Sequence, residues 1–262
     1  MEMSIEELKK QEEEFFKLRD EIIGEADKRG ITLRILGAIA FRTKCPNYKY
    51  LEYDLGRALT DIDFVAHYKD MSKIEKLFED LGYTQDLALK TIMKRMGAKR
   101  MIFYHPNGIH SDVFLDELRF CHILNLKNRL EIDHPTISLS DLLLEKLQIV
   151  EINEKDIIDC IILFREHEVG EDDKTTINMK YISKLFSGDW GWWRTGTMNL
   201  DKIKHFAEKY DKLTDEDKKI VIERIDKLRE AIDKHPKSMG WKMRAKVGDK
   251  KKWYRDVEEV IR

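Results

Sequence analysis

The segment Asp61-Ile62-Asp63-Phe64-Val65-Ala66 constrains this chain more than any other stretch. Its polar and apolar residues alternate at the start, which is the pattern of a half-buried strand. Side chains two apart on a strand leave by the same face. Asp61 and Asp63 therefore aim at one spot, while Ile62 and Phe64 point into a core. The chain must supply a sheet with one carboxylate-bearing face, backed on its apolar side.

The rest of the sequence supplies the backing. Residues 4–29 read as a helix with an apolar stripe of Leu8, Phe15, Phe16, Ile22 and Ile23. Ser4 and Glu7 have capping-box spacing at its start, and Gly30 ends it. Residues 31–36 read as a short buried strand, and Gly37 turns the chain into a helical piece, AIAFRT. The stretch 45–60 reads as a loop. A helix over 72–81 is expected, capped by Ser72 and Glu75 and closed by Gly82. Pro106-Asn107-Gly108 between residues 99–105 and 109–115 signals a hairpin. Helix pattern then runs from about Ser140 to His167, with Asn153 and Asp156 offering a second cap inside it. Residues 170–178 are polar and mark the expected domain boundary, with two or three more helices beyond. The expectation is an α+β fold, a small mixed sheet backed by helices, spanning residues 1–168. A helical C-terminal extension would occupy 169–262.

Two carboxylates on one strand face suit Mg²⁺, which takes one or two carboxylates and completes its shell with water and phosphates. Asp112 lies in the second strand of the hairpin and would join the pair if that strand lies beside the first. Three carboxylates can hold two metal ions, one at the attacking oxygen and one at a leaving pyrophosphate. Mg²⁺ is the expected ion, with Mn²⁺ as the second choice. Asp116 shares the expected face of Asp112 and is its rival. The bland alternative is that Asp61 and Asp63 form a solvated strand end.

The order Leu36-Gly37-Ala38, then Asp61-Ile62-Asp63-Phe64, resembles the DNA polymerase β-like nucleotidyltransferase superfamily. Ala38 stands where that superfamily has a second Gly or Ser, and the interval from Gly37 to Asp61 is longer than the common one. Leu55-Gly56-Arg57-Ala58-Leu59-Thr60-Asp61-Ile62-Asp63 is similar to the corresponding region of the abortive-infection-type members, which include toxins of toxin–antitoxin pairs. Leu144-Glu145-Lys146-Leu147 with Lys155-Asp156-Ile157-Ile158-Asp159 is similar to their helical Lys and Asp segment. The resemblance covers roughly residues 30–168. It implies the nucleotidyltransferase fold, an NTP substrate, and an acceptor that is an RNA end or a small molecule. An antitoxin becomes a candidate partner. It places Gly37, Ala38, Arg57, Lys146 and Asp156 at the nucleotide, with Asp61, Asp63 and Asp112 as catalytic metal ligands. Glycine lets backbone approach a phosphate, and a helix start offers N–H groups. Lys146 either neutralises a triphosphate or belongs to a solvated helix face; Asp156 either caps its helix or meets a ribose or base. Arg57 either reaches a phosphate or lies on the surface, and Asp159 reads as structural. The non-enzymatic alternative is a degenerate nucleotide- or RNA-binding protein on the same scaffold.

Other chemistries find little support. His110, His122 and His134 lack metal-ligand spacing and are expected to be satisfied or exposed. No nucleophile elbow surrounds Ser111, and there is no Walker loop or dinucleotide fingerprint. Charged residues make up 37% of the chain yet the net charge is −2, which excludes a uniformly basic nucleic-acid binder. Local basic patches remain: Lys90, Lys94 and Arg95, and a tail in which Trp241, Trp253 and Tyr254 interleave with Lys242, Arg244, Lys250, Lys251 and Lys252. That mix suits a single-stranded nucleic acid; with Trp190, Trp192 and Trp193, it equally suits packing. Three scattered cysteines, Cys45, Cys121 and Cys160, argue against a disulfide framework or zinc knuckle, and a reducing cytoplasm is expected. No signal peptide or membrane span is expected.

Overall fold

The computed structural model describes residues 3–95 and 97–257. Its fold is α+β, with a small mixed sheet and helices. The chain packs as two units, Met1–Leu118 with Asn125–Ser138, and Arg119–Leu124 with Leu139–Arg262. No helix among the described residues is long and apolar enough to cross a membrane.

The first unit begins with α1 (Ile5–Lys28), whose Ser4–Glu7 capping box forms as expected. The capping side chains satisfy N–H groups that no helix can satisfy for itself at its first turn. Leu8, Phe15, Ile22 and Ile23 are buried, while Phe16 stays half-buried under the Arg19 guanidinium at 3.9 Å. Next come β1 (Leu33–Leu36), α2 (Gly37–Lys44), α3 (Tyr50–Asp54), β2 (Asp61–Ala66), α4 (Met71–Asp80), α5 (Leu87–Arg95), β3 (Arg100–Tyr104) and β4 (His110–Leu115). The strands lie in the order β1-β2-β4-β3. β1 and β2 are antiparallel, β2 and β4 parallel, and β3 and β4 form the expected antiparallel hairpin.

Register gives the sheet two unlike faces. One carries Ile35, Ile62, Phe64, Val113, Met101 and Phe103, and on it Phe78 of α4 stacks against Phe103 at 4.1 Å. The other carries Asp61, Asp63, His110, Asp112 and Arg100. Chain continuing past β4 forms β5 (Glu117–Arg119) and β6 (Ile123–Asn125), a two-stranded sheet. Residues near 135–137 then return beside β1, where Ile35 donates to the Pro135 carbonyl and accepts from Ile137 N–H.

Two local expectations are corrected. Residues 45–60 are not simply loop, because α3 forms there. Glu52 on α3 is fully buried, accepting from Arg42 Nε at 2.9 Å, with Arg57 Nη1 at 3.5 Å. Glu12 of α1 takes Lys49 Nζ at 2.8 Å and the Tyr53 hydroxyl. The partners belong to other elements, and those of Glu12 lie 37 and 41 residues away, so no local pattern announces the helix. At α4 the cap is Asp70, without a side-chain cap bond, instead of Ser72. The 3-10 turn Tyr68–Asp70 runs directly into the helix and starts it a residue early.

The second unit is helical: α6 (Leu139–Leu147), α7 (Glu154–Glu166), then β7 (Val169–Gly170) and β8 (Ile177–Asn178), a short parallel pair within the segment expected to be loop. It continues with α8 (Met179–Gly188), α9 (Trp190–Lys209), α10 (Asp215–Lys234) and α11 (Met239–Val247), four helices among the described residues where two or three were expected. Asn153 caps α7, so the long helical stretch is two helices, as its internal cap suggested. Asp189 caps α9 by accepting from Gly191 and Trp192 N–H, which puts the Gly- and Trp-rich segment inside a helix. Packing groups α6 and α7 with α8, α9 and α10, so the units part near Ser138, earlier than the 168/169 boundary read from the sequence. Every residue of α6 is buried, which requires neighbours on all its sides.

The buried Arg42–Glu52 pair yields the first expected outcome. Glu52→Gln removes the charge facing Arg42, a side chain only 1% exposed. Breaking a buried pair costs about 3–5 kcal/mol, and Glu12, 4.0 Å from Arg42, offsets part of that loss. Urea unfolding followed by circular dichroism should show a loss of that order; a loss within error of zero would mean the pair does not hold α3.

Candidate metal centre

The centre is built on the parallel pair β2 and β4. Asp63 sits directly opposite Asp112, and Asp61 directly opposite His110. Partners in a parallel pair share a face, so all four side chains project together. Asp61, His110 and Asp112 each offer a ligand atom, and these atoms lie within 4.8 Å of one another. His110 Nε2 is 3.4 Å from Asp61 Oδ2. Asp61 and Asp63 are half-buried, whereas Asp112 is 1% exposed. A carboxylate that deep needs a countercharge, and Arg100 Nη2 donates to Asp112 Oδ2. Arg100 stands on the same face, two pairs further along β3.

Gly37 closes the site at the junction of β1 and α2. Its φ is +68°, and a Cβ placed there would meet Asp63 Oδ2 at 2.5 Å. Both facts require glycine: the left-handed backbone is unfavourable for other residues, and the space is already taken by the carboxylate. Ala38 is half-buried in the first turn of α2, and Leu36, the N-cap, makes no side-chain cap bond. The donor set fits a divalent cation: carboxylates and an imidazole converge from adjacent strands, with one carboxylate buried beside an arginine.

The remaining sequence candidates have partners of their own. Asp116, the rival third carboxylate, lies past the end of β4 with φ +64° and accepts from Tyr68 N–H at 3.1 Å. Its carboxylate is also 3.6 Å from His67 Nδ1. Arg57 belongs to the buried network around Glu52, and its carbonyl accepts from Arg42 Nη2 at 2.7 Å. Lys90 pairs with Glu75 at 2.7 Å; the Lys94 side chain lies outside the described residues. Within the second unit, Lys146 is 6% exposed and its Nζ lies 3.0 Å from both Asp156 Oδ1 and Asp159 Oδ2. The sequence left Lys146 between triphosphate and solvated face; the helices enclose it between two aspartates instead. Asp156 takes part in that pair while its N–H donates to the Asn153 cap.

His110 is the site residue that sequence reasoning set aside. Ligand spacing along the chain was the wrong test for it, because its partner Asp61 belongs to another strand. The available signal was its position two residues before Asp112, which puts both on one strand face.

The tail tryptophans pack in the second unit. Trp253 Nε1 donates to Thr195 Oγ1 at 3.0 Å and its ring meets Trp190 edge-on at 5.9 Å. Trp193 meets Trp241 at 5.0 Å, also edge-on. Thr195 Oγ1 in turn lies 2.9 Å from Nε2 of buried His122. Burial pushes the His122 pKa down from 6.5 to about 4.

Two outcomes follow. Lys146→Met strands the fully buried Asp159 and should cost about 3–5 kcal/mol, seen as a lower Tm. A Tm equal to wild type with weakened NTP binding would restore the nucleotide role instead. His122 is neutral when folded but protonates near 6.5 when unfolded, so its share of stability is present above that pH. It is lost as pH falls from 6.5 towards about 4, by at most about 3 kcal/mol. Thermal scans across that range should show His122→Gln losing less stability than wild type; identical pH profiles would remove His122 from the acid response.

Comparisons with known protein families, with curated proteins and with solved structures find no match to this chain.

Proposed function

We propose that this protein is a divalent-metal-dependent nucleotidyltransferase, moving a nucleoside monophosphate from an NTP to an acceptor with release of pyrophosphate. The observation that carries this reading is the register of β2 against β4, which sets Asp63 opposite Asp112 with Asp61 on the same face. Gly37 and the first turn of α2 stand beside that face. Gly37, Asp61 and Asp63 also carry the sequence resemblance, so geometry and motif support one reading.

Asp61, Asp63 and Asp112 would hold the ions, and Arg100 keeps Asp112 oriented and charge-balanced. Bound Mg²⁺ or Mn²⁺ would supply Lewis-acid stabilisation of charge on the transferring and leaving phosphates. The first turn of α2, whose N-cap Leu36 makes no side-chain cap bond, would turn the positive end of the helix towards a phosphate. Asp112 is the group we assign to take the proton of an acceptor hydroxyl. The acceptor is an RNA end or a small molecule, and an antitoxin is a candidate partner by the same resemblance. The second reading, a catalytically inert nucleotide or RNA binder, draws on Ala38 in place of Gly or Ser.

The test is incubation with labelled NTPs, Mg²⁺ and a cell extract, following pyrophosphate release and the class of molecule labelled. Asp61→Asn or Asp63→Asn should lower the rate at least about a hundredfold with the fold intact, since several kcal/mol of electrostatic stabilisation is lost. Near-full activity in either variant would overturn the site. NTP binding without pyrophosphate release under any acceptor would favour the inert binder.

A further inference from the structure

We propose that His110 is a direct ligand in this centre, so that the site selects a first-row transition cation over Mg²⁺. The inference rests on the reading of Asp61 and Asp112 as metal ligands and deepens it. His110 is brought there by pairing, since it opposes Asp61 across β2 and β4 and precedes Asp112 by two residues on the same strand face. Two donors bound to one cation at about 2.1 Å sit roughly 3–3.4 Å apart, from octahedral to tetrahedral arrangements. The 3.4 Å between His110 Nε2 and Asp61 Oδ2 meets that spacing, and Asp112 completes a set within 4.8 Å. The imidazole is only 15% exposed. It is fixed against the carboxylates and backed by the Tyr104 ring at 6.3 Å, with Tyr104 opposite it on β3.

The donor chemistry then sets the preference. Mg²⁺ is a hard ion that binds oxygen and holds its waters. Imidazole nitrogen is a better donor to Mn²⁺, Fe²⁺, Co²⁺ or Zn²⁺ than to Mg²⁺. Two aspartates and one histidine on adjacent strands therefore form a mixed nitrogen–oxygen site. A purely carboxylate site would show a weaker bias.

The experiment uses the full chain without nucleotide, loaded with Mn²⁺ alone. Pulsed electron paramagnetic resonance should detect nitrogen coupling from a bound imidazole, and His110→Ala should abolish it. In titrations with Mg²⁺ as competitor, His110→Ala should weaken Mn²⁺ binding about tenfold or more, with Mg²⁺ changed by less than about threefold. His110→Asp should retain a bound cation through oxygen and lose the nitrogen signal. This second variant decides the matter if circular dichroism shows the alanine variant misfolded. Absence of nitrogen coupling in the wild type, or equal Mn²⁺ affinity in wild type and His110→Ala, would overturn the proposal. Nitrogen coupling without pyrophosphate release from any NTP would leave the histidine ligand standing and remove the transferase reading. Mg²⁺-dependent release without nitrogen coupling would do the reverse.

Discussion

Six consecutive residue pairs join β2 to β4 in parallel register, from Asp61 opposite His110 to Ala66 opposite Leu115. A shift of one residue would turn His110 and Asp112 into the apolar face that Phe78 covers. It would also carry Ser111, Val113 and Leu115 onto the face that bears Asp61 and Asp63. Burial of the apolar face thus holds the polar face in alignment. The carboxylates need no direct attraction to find one another, which is useful for groups of like charge.

The polar face carries a concentrated charge, and its surroundings answer it in two ways. Arg100 donates to the most buried carboxylate, Asp112. Gly37 gives up a side chain so that backbone can stand against Asp63. The first response balances charge and the second makes room, and together they let the carboxylates stand on one face. The same logic recurs at other buried charges. Arg42 is buried against Glu52, and Lys146 against Asp156 and Asp159, so part of the high charge content is interior and paired.

Much of the local structure was legible. The Ser4–Glu7 box, the break at Asn153, the hairpin at Pro106-Asn107-Gly108 and the alternation at Asp61-Ile62-Asp63 each depend on residues close in sequence, and each stands in the fold. α3 and the cap of α4 were missed because their determinants lie elsewhere. The buried partner of Glu52 comes from α2, and the start of α4 is set by a preceding 3-10 turn. The helical character of the Trp190 region was hidden by glycines that a cap from Asp189 and dense aromatic packing override.

The amino-acid sequence by itself determined which side chains share a strand face, because that depends only on a two-residue period. It therefore put Asp61 with Asp63, and His110 with Asp112. Tertiary structure alone decided which strand lies beside which, and so joined those two pairs into one cluster. It also decided that Lys146 and Arg57 face buried carboxylates. Ion-pair partners and strand order are set by long-range burial of apolar faces, and a charge carries no local mark of the partner that burial will bring to it.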